Sequence, residues 1–260
     1  MPERRRILRY SWGLKKLDNV IGPIEARVIT LFFGDSGTGK TTFSCYLPIM
    51  RILKTLGKPK ENEVFVVVDT DGGFDLPRLE QILKNNEIDP DVIYDSLLLY
   101  ESFDFKEQYD YVVDTIPYEL STKNLRPLFI AVDPMTALYR GEILRAHPKR
   151  KLLEIGMKSG VLDHQIVVLR RLSKKYNCPV FISTWPKSTV GEALEKNSED
   201  KEKKRDEVPY IGGRQMKFLP KTVVEISLSP KDKTRRAVSY THLRAHETEA
   251  DLVCRLLLEK

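Results

Sequence analysis

The chain has 260 residues, enough to bury one large core, so a single α/β domain is the default expectation. Hydrophobic content of 41% and charged content of 31% describe a globular protein, and no apolar run is long enough to span a membrane. A net charge of +6 permits a polyanionic partner without demanding one, and three cysteines without paired spacing argue against a disulfide framework or zinc site and for a reducing cytoplasm.

The basic start, Arg4 to Arg9, leads into no apolar stretch and is not read as a signal peptide. Trp12 to Asp18 reads as a short helix covering an edge of the sheet. Val28 to Phe33 is a β-branched and aromatic run that reads as a buried strand. Directly after it, Gly34-Asp35-Ser36-Gly37-Thr38-Gly39-Lys40-Thr41 matches the pattern G-x-x-x-x-G-K-[ST]. Thr41 to Leu56 then reads as a helix ended by Gly57, with Pro48 expected to kink it. Strand, glycine loop and helix together are the context in which this pattern binds phosphate. Glycines let successive N–H groups turn inward around the β- and γ-phosphates, and the helix points its positive end at them. Residues Gly34 to Thr42 are therefore the expected nucleotide-binding loop. In it Lys40 bridges the β- and γ-phosphates of ATP and the Thr41 hydroxyl ligates Mg²⁺.

Val64 to Val68 is apolar on both faces and reads as a central parallel strand ending in Asp69-Thr70-Asp71-Gly72-Gly73-Phe74. Ligands of open parallel sheets gather outside the carboxyl ends of strands, so acids placed there face the nucleotide. Helices are expected over Pro77 to Asn85 and Lys106 to Leu120, with a strand over Ser96 to Tyr100 between them. Pro127 to Asp133 is an apolar strand closing on one carboxylate, the expected position of an acid that holds Mg²⁺ through water. Leu152 to Tyr176 has helical spacing, with His164 on its surface, and Val180 to Thr184 is a further buried strand. Alternating β and α elements predict a mostly parallel central sheet with helices on both faces.

With these residues in view, residues 7–237 resemble the RecA-like recombinases, P-loop ATPases whose archaeal members include RadA and RadB. The most specific pieces are Ala131 to Arg140, Asp69 to Leu79, Phe105 to Gln108 and Ile211-Gly212-Gly213. The chain begins almost directly at the ATPase core, which is the RadB-like arrangement. The resemblance implies a DNA-dependent ATPase, a weak one, acting in DNA recombination and repair. It further implies single-stranded DNA as a partner, with a RadA-type recombinase as a candidate second partner, and it leaves homo-oligomer formation open. It places Arg78 where the family stacks an arginine on adenine, and Asp71 where the family has a catalytic glutamate that positions the attacking water. Lys40, Asp71 and Asp133 are then the catalytic residues. Asp71 is one methylene short, so hydrolysis is expected to be slow. Where the family has a glutamine sensing the γ-phosphate, this chain has Trp185 followed by Pro186. The same core and strand-end acids occur in KaiC-like signalling ATPases, and a nucleotide-dependent adaptor that holds ATP without hydrolysing it is a third reading.

The segment Lys187 to Pro209 aligns with the family's DNA-binding loop. It carries 6 basic and 7 acidic residues, so it is no polycationic arm; a solvated loop is the first reading, with Lys201 to Arg205 a candidate DNA contact. Gly212-Gly213 beyond it implies close backbone approach or a positive φ, with Arg214 and Lys217 as candidate phosphate contacts. Residues 238–260 resemble a translated sequencing adapter: Val238 to Thr248 and Leu252 to Lys260 match its two ends, at the separation of a sample index. The expected domain is therefore 1–237, truncated at its C-terminus, with no functional weight on His242, His246 or Cys254.

Overall fold

Strands that are apolar on both faces are satisfied only between two layers of helices, and the computed structural model of the chain is built that way. It describes residues 7–187, 210–229, 235–239 and 248–252. A two-residue hairpin rung, β1 (Arg9–Tyr10) with β2 (Ile24–Glu25), brackets helix α1 (Lys15–Ile21). Strand β3 (Ile29–Phe33) leads through the glycine loop to α2 (Leu47–Leu56), and β4 (Glu63–Asp69) to α3 (Leu76–Lys84) and α4 (Asp91–Tyr94). Strand β5 (Leu97–Glu101) is followed by α5 (Phe105–Asp110) and α6 (Ile116–Thr122), and β6 (Arg126–Asp133) by α7 (Ala137–Arg145) and the long α8 (Lys151–Tyr176). Then come β7 (Val180–Thr184), a short helix Arg214–Phe218, β8 (Thr222–Leu228), β9 (Arg235–Ser239) and β10 (Thr248–Leu252).

The main sheet has the order β10-β9-β8-β3-β7-β6-β4-β5, parallel from β8 to β5 and antiparallel across β8, β9 and β10. This is the expected α/β architecture. Two apolar layers flank it. Phe32, Phe65, Phe129 and Phe181 pack with α1, α2 and α3 on one face, and Leu31, Val66, Val132 and Ile182 pack with α5 to α8 on the other. Alternation of inward and outward residues along each buried strand is what divides the core in two. The topology has a functional consequence: β3, β7 and β6 are neighbours, so the ends Phe33, Thr184 and Asp133 lie along one edge of the sheet.

Several elements differ from expectation. The kink expected at Pro48 takes the form of a π-helical turn, Thr42–Tyr46, just before α2, and the Leu47 N–H bonds back to the Thr42 carbonyl. The same device precedes Pro117, where a π-helical turn Tyr111–Thr115 separates α5 from α6. In each case a proline that cannot donate is placed where the ladder has already shifted by one residue. Strand β4, expected to be central, lies one strand in from the β5 edge. Helix α1 lies over the edge strand β10 and its neighbour β9, as expected; Trp12, just ahead of it, reaches further in. It inserts against Phe32 and Phe181 in mid-sheet, each ring pair at 5.9 Å, and its indole N–H donates to the Gly22 carbonyl. Strand β9 runs across the boundary expected at 237/238, and the backbone of β10 pairs with it. The charged loop 188–209, including Lys201 to Arg205, lies outside the described residues. Among the described residues, no helix is long and apolar enough to cross a membrane.

Candidate nucleotide-binding site

The glycine loop leaves β3 so close to β8 that a Cβ on Gly34 would lie 2.1 Å from the Ile226 carbonyl oxygen. Further along, Gly39 sits at φ +98°, a backbone conformation that L side chains rarely adopt. The Thr38 hydroxyl closes the loop on the Asp35 carbonyl at 2.9 Å. Asp35 and Ser36 are exposed at the tip, and Lys40 is buried with its Nζ donating to the Gly34 and Asp35 carbonyls at 2.9 and 2.8 Å. Thr41 and Thr42 are half-buried at the start of the helix.

Asp133, at the end of β6, is buried and accepts a hydrogen bond from the Ser183 hydroxyl on β7. Burial raises its pKa; the hydroxyls of Ser183, Thr41 and Ser44 and the Lys40 ammonium pull the other way. Burial in turn lowers the pKa of Lys40, against the carboxylates of Asp133, Asp71 and Asp35. The structure thus brings Lys40, Thr41, Asp71 and Asp133 into one electrostatic cluster. Partial withdrawal from water, with Asp133 and Asp69 as like charges, raises the Asp71 pKa to about 6.

Asp69 plays a different part from the one its position suggests. Its Oδ1 accepts the N–H groups of Asp71, Gly72 and Gly73 at 3.0–3.2 Å, and its Oδ2 that of Phe74 at 3.0 Å. All of that acceptor capacity serves to fold the loop that carries Asp71. Sequence reasoning grouped the two acids together. The signal that separates them is the run of small and turn residues after Asp69, whose N–H groups need an acceptor. Arg78, on α3, is not hydrogen-bonded into the cluster: its Nη1 donates to Gln81 Oε1 at 2.6 Å. Ser183 and Ser44 were missed because nothing in a lone serine marks it. Beside the cluster a cavity of about 300 Å³ opens between the ends of β4 and β5, lined by Asp69 to Gly72, Glu101 to Phe103 and Leu138.

Trp185 continues β7 beyond Thr184 and is half-buried; Arg140 lies over its ring at 5.6 Å and its carbonyl accepts the Ile211 N–H at 2.9 Å. Pro186 and Tyr210 form an antiparallel bridge, so the two ends of segment 187–209 are joined at its base.

A family model described as Rad51 matches residues 3–247. The chain belongs to the Rad51 family. Membership of this family points to a nucleotide-binding ATPase, in keeping with the loop and acids just described. The chain is 30% identical over 237 residues to the DNA repair and recombination protein RadB of Methanoculleus marisnigri, covering 90% of this chain and 89% of that protein. It is 27% identical over 228 residues to RadB of Methanocaldococcus jannaschii, covering 88% of this chain and 90% of that protein. It is also 29% identical over 187 residues to RadA of Ignicoccus hospitalis, covering 70% of this chain and 54% of that protein.

Proposed function

We propose that the chain binds ATP with Mg²⁺, hydrolyses it slowly, and acts in DNA recombination and repair as a RadB-like protein that binds single-stranded DNA or modulates a RadA-type recombinase. The observation that carries this reading is the convergence of Lys40, Thr41, Asp71 and Asp133 at the carboxyl ends of β3, β4 and β6. The donor set fits Mg²⁺: a hydroxyl and one carboxylate, both hard oxygens, suit an ion that keeps most of its waters and takes its remaining ligands from phosphate. Mg²⁺, when bound, supplies charge neutralisation on the β- and γ-phosphates. Thr41 would hold it directly and Asp133 through water. The backbone N–H groups of the loop and the Lys40 ammonium grip the phosphates, and Arg78 covers the adenine. Asp71 orients the attacking water and takes its proton. The names of the RadB and RadA relatives support the recombination setting.

The test is single-stranded-DNA binding at low salt, with and without ATP. ATP strengthens it and Lys40→Ala abolishes the strengthening; no DNA affinity in either state overturns the DNA reading. A second reading, an adaptor that holds ATP and recruits a recombinase, is favoured by Trp185 in place of an amide beside the phosphate loop. Asp71→Glu separates the two, since a slow ATPase gains several-fold in turnover from the longer acid and an adaptor gains nothing.

A further inference from the structure

Between α5 and α8 lie two glutamines with no solvent exposure, Gln108 and Gln165. Gln108 Nε2 donates to Gln165 Oε1 at 3.0 Å and to the Met135 carbonyl at 3.1 Å. Gln108 Oε1 and Gln165 Nε2, an acceptor and a donor, have no partner among the described residues. Exchanging the ends of either amide is worse. Turning Gln165 sets two donors face to face, and turning Gln108 sets its oxygen against the Met135 carbonyl. A buried amide with unmade bonds carries a free-energy penalty that two leucines would avoid. The pair is therefore poorly explained as packing.

What the pair touches supplies the reason. Met135 stands two residues after Asp133, and its N–H donates to the Ser183 carbonyl at 2.8 Å. The Ser183 hydroxyl in turn donates to Asp133 Oδ1, and the Thr70 hydroxyl to the Pro134 carbonyl. The turn that follows β6 is thus held by β7, by the loop after β4, and by the Gln108 amide. On the same stretch of α8, Asp163 Oδ1 accepts the Gln215 N–H at 2.7 Å, at the start of the helix that follows Gly212-Gly213. One stretch of α8 therefore touches both the turn after Asp133 and the exit of the 187–209 segment.

We propose that Gln108 and Gln165, with one water bonded between their two free amide atoms, form a positioning unit for Asp133. The unit fixes the Met135 carbonyl, and through it the strand end that presents the magnesium-organising carboxylate. It also joins that strand end to the α8 stretch that holds residues 213–215. The inference rests on the Mg²⁺–ATP reading of the site. A buried water with two to four polar partners is ordinary, and outer-shell groups of this kind govern metal affinity without touching the metal.

The experiment uses Gln108→Leu, Gln165→Leu and the double variant of the full chain. Denaturant unfolding measures stability, and calorimetric titration measures binding of a non-hydrolysable ATP analogue over a range of Mg²⁺ concentrations. Each single variant is expected to be less stable than the double, because each strands one amide while the double removes both. The double variant is expected to need about tenfold more Mg²⁺ for half-maximal binding, with its affinity in excess chelator unchanged. A double variant with the wild-type Mg²⁺ requirement overturns the inference and leaves the nucleotide reading standing. Wild-type protein that binds no nucleotide at any Mg²⁺ concentration overturns the nucleotide reading, and the inference with it.

Discussion

The pH dependence of turnover should report Asp71 directly. Its carboxyl is raised to about 6 by partial burial and by Asp133 and Asp69, from an ordinary value of 3.8. As the general base proposed above, it works only when ionised, so the free enzyme would be about 90% competent at pH 7 and about 10% at pH 5, a fall of roughly tenfold in kcat/KM. An unshifted aspartate would leave the two rates within about a tenth of each other. Because a γ-phosphate also titrates near pH 6, the measurement is phosphate release by wild type divided by that of Asp71→Asn across pH 5–8 at constant ionic strength. The substrate's own titration cancels in that ratio. The ratio should fall about tenfold from pH 7 to pH 5, on top of a loss of about 10²-fold or more in the variant at pH 7. Since kcat/KM reports the free enzyme, it is the parameter in which the value of about 6 should appear. A ratio that does not change with pH would refute the assignment of Asp71 as base. The sign for stability is the reverse of the sign for activity. A carboxyl whose folded pKa is raised stabilises the fold below pH 3.8, and that contribution is lost as pH rises through about 6.

Two further changes test the frame around the site. Ser183→Ala removes a hydroxyl donor from buried Asp133 and should lower stability by about 1–3 kcal/mol in denaturant unfolding. It should also raise the Asp133 pKa further, so that Mg²⁺-dependent nucleotide binding fails at a higher pH than in wild type; calorimetry from pH 5 to 8 reads this. Gly34→Ala places a Cβ 2.1 Å from the Ile226 carbonyl, forcing β3 and β8 apart at a cost of about 1–3 kcal/mol or more, measured as a lowered denaturation midpoint.

The parts of the site that were legible in the sequence are those written in short stretches of chain. The loop from Gly34 to Thr41 announces itself because its chemistry is contiguous: glycines for close approach, then a lysine for charge and a threonine hydroxyl beside it. Asp133 is legible for the same reason, since an apolar strand stopping on one carboxylate is a local event. The fold class follows from strands buried on both faces, but the strand order does not. Periodicity shows that β4 is buried without showing that only β5 lies beyond it. The two π-helical turns were not legible because a proline tells that a helix ladder must give way, not by which route. The pairing of Gln108 with Gln165 spans 57 positions in sequence, and no property of either residue points to the other.

The departure at Trp185 shows how sequence and structure have to be read together. A glutamine at the end of β7 could both accept from and donate to groups at the γ-phosphate end of the site. An indole can only donate, and at a geometry fixed by its ring. Here Trp185 is also engaged elsewhere, with Arg140 from α7 over its ring and its carbonyl on Ile211. The neighbouring Thr184 hydroxyl adds to this by bonding the Ile211 carbonyl at 2.7 Å and the Thr136 hydroxyl at 2.6 Å. The ends of segment 187–209 are therefore fastened to β7 through backbone groups and a threonine, with no side-chain amide at the strand end. Under the proposed function this leaves the shortened acid Asp71 to hold the attacking water without a second acceptor from β7. A slow hydrolytic step paired with firm nucleotide binding is the behaviour that combination produces, because the groups that grip the phosphates, Lys40 and the loop amides, are untouched by either departure.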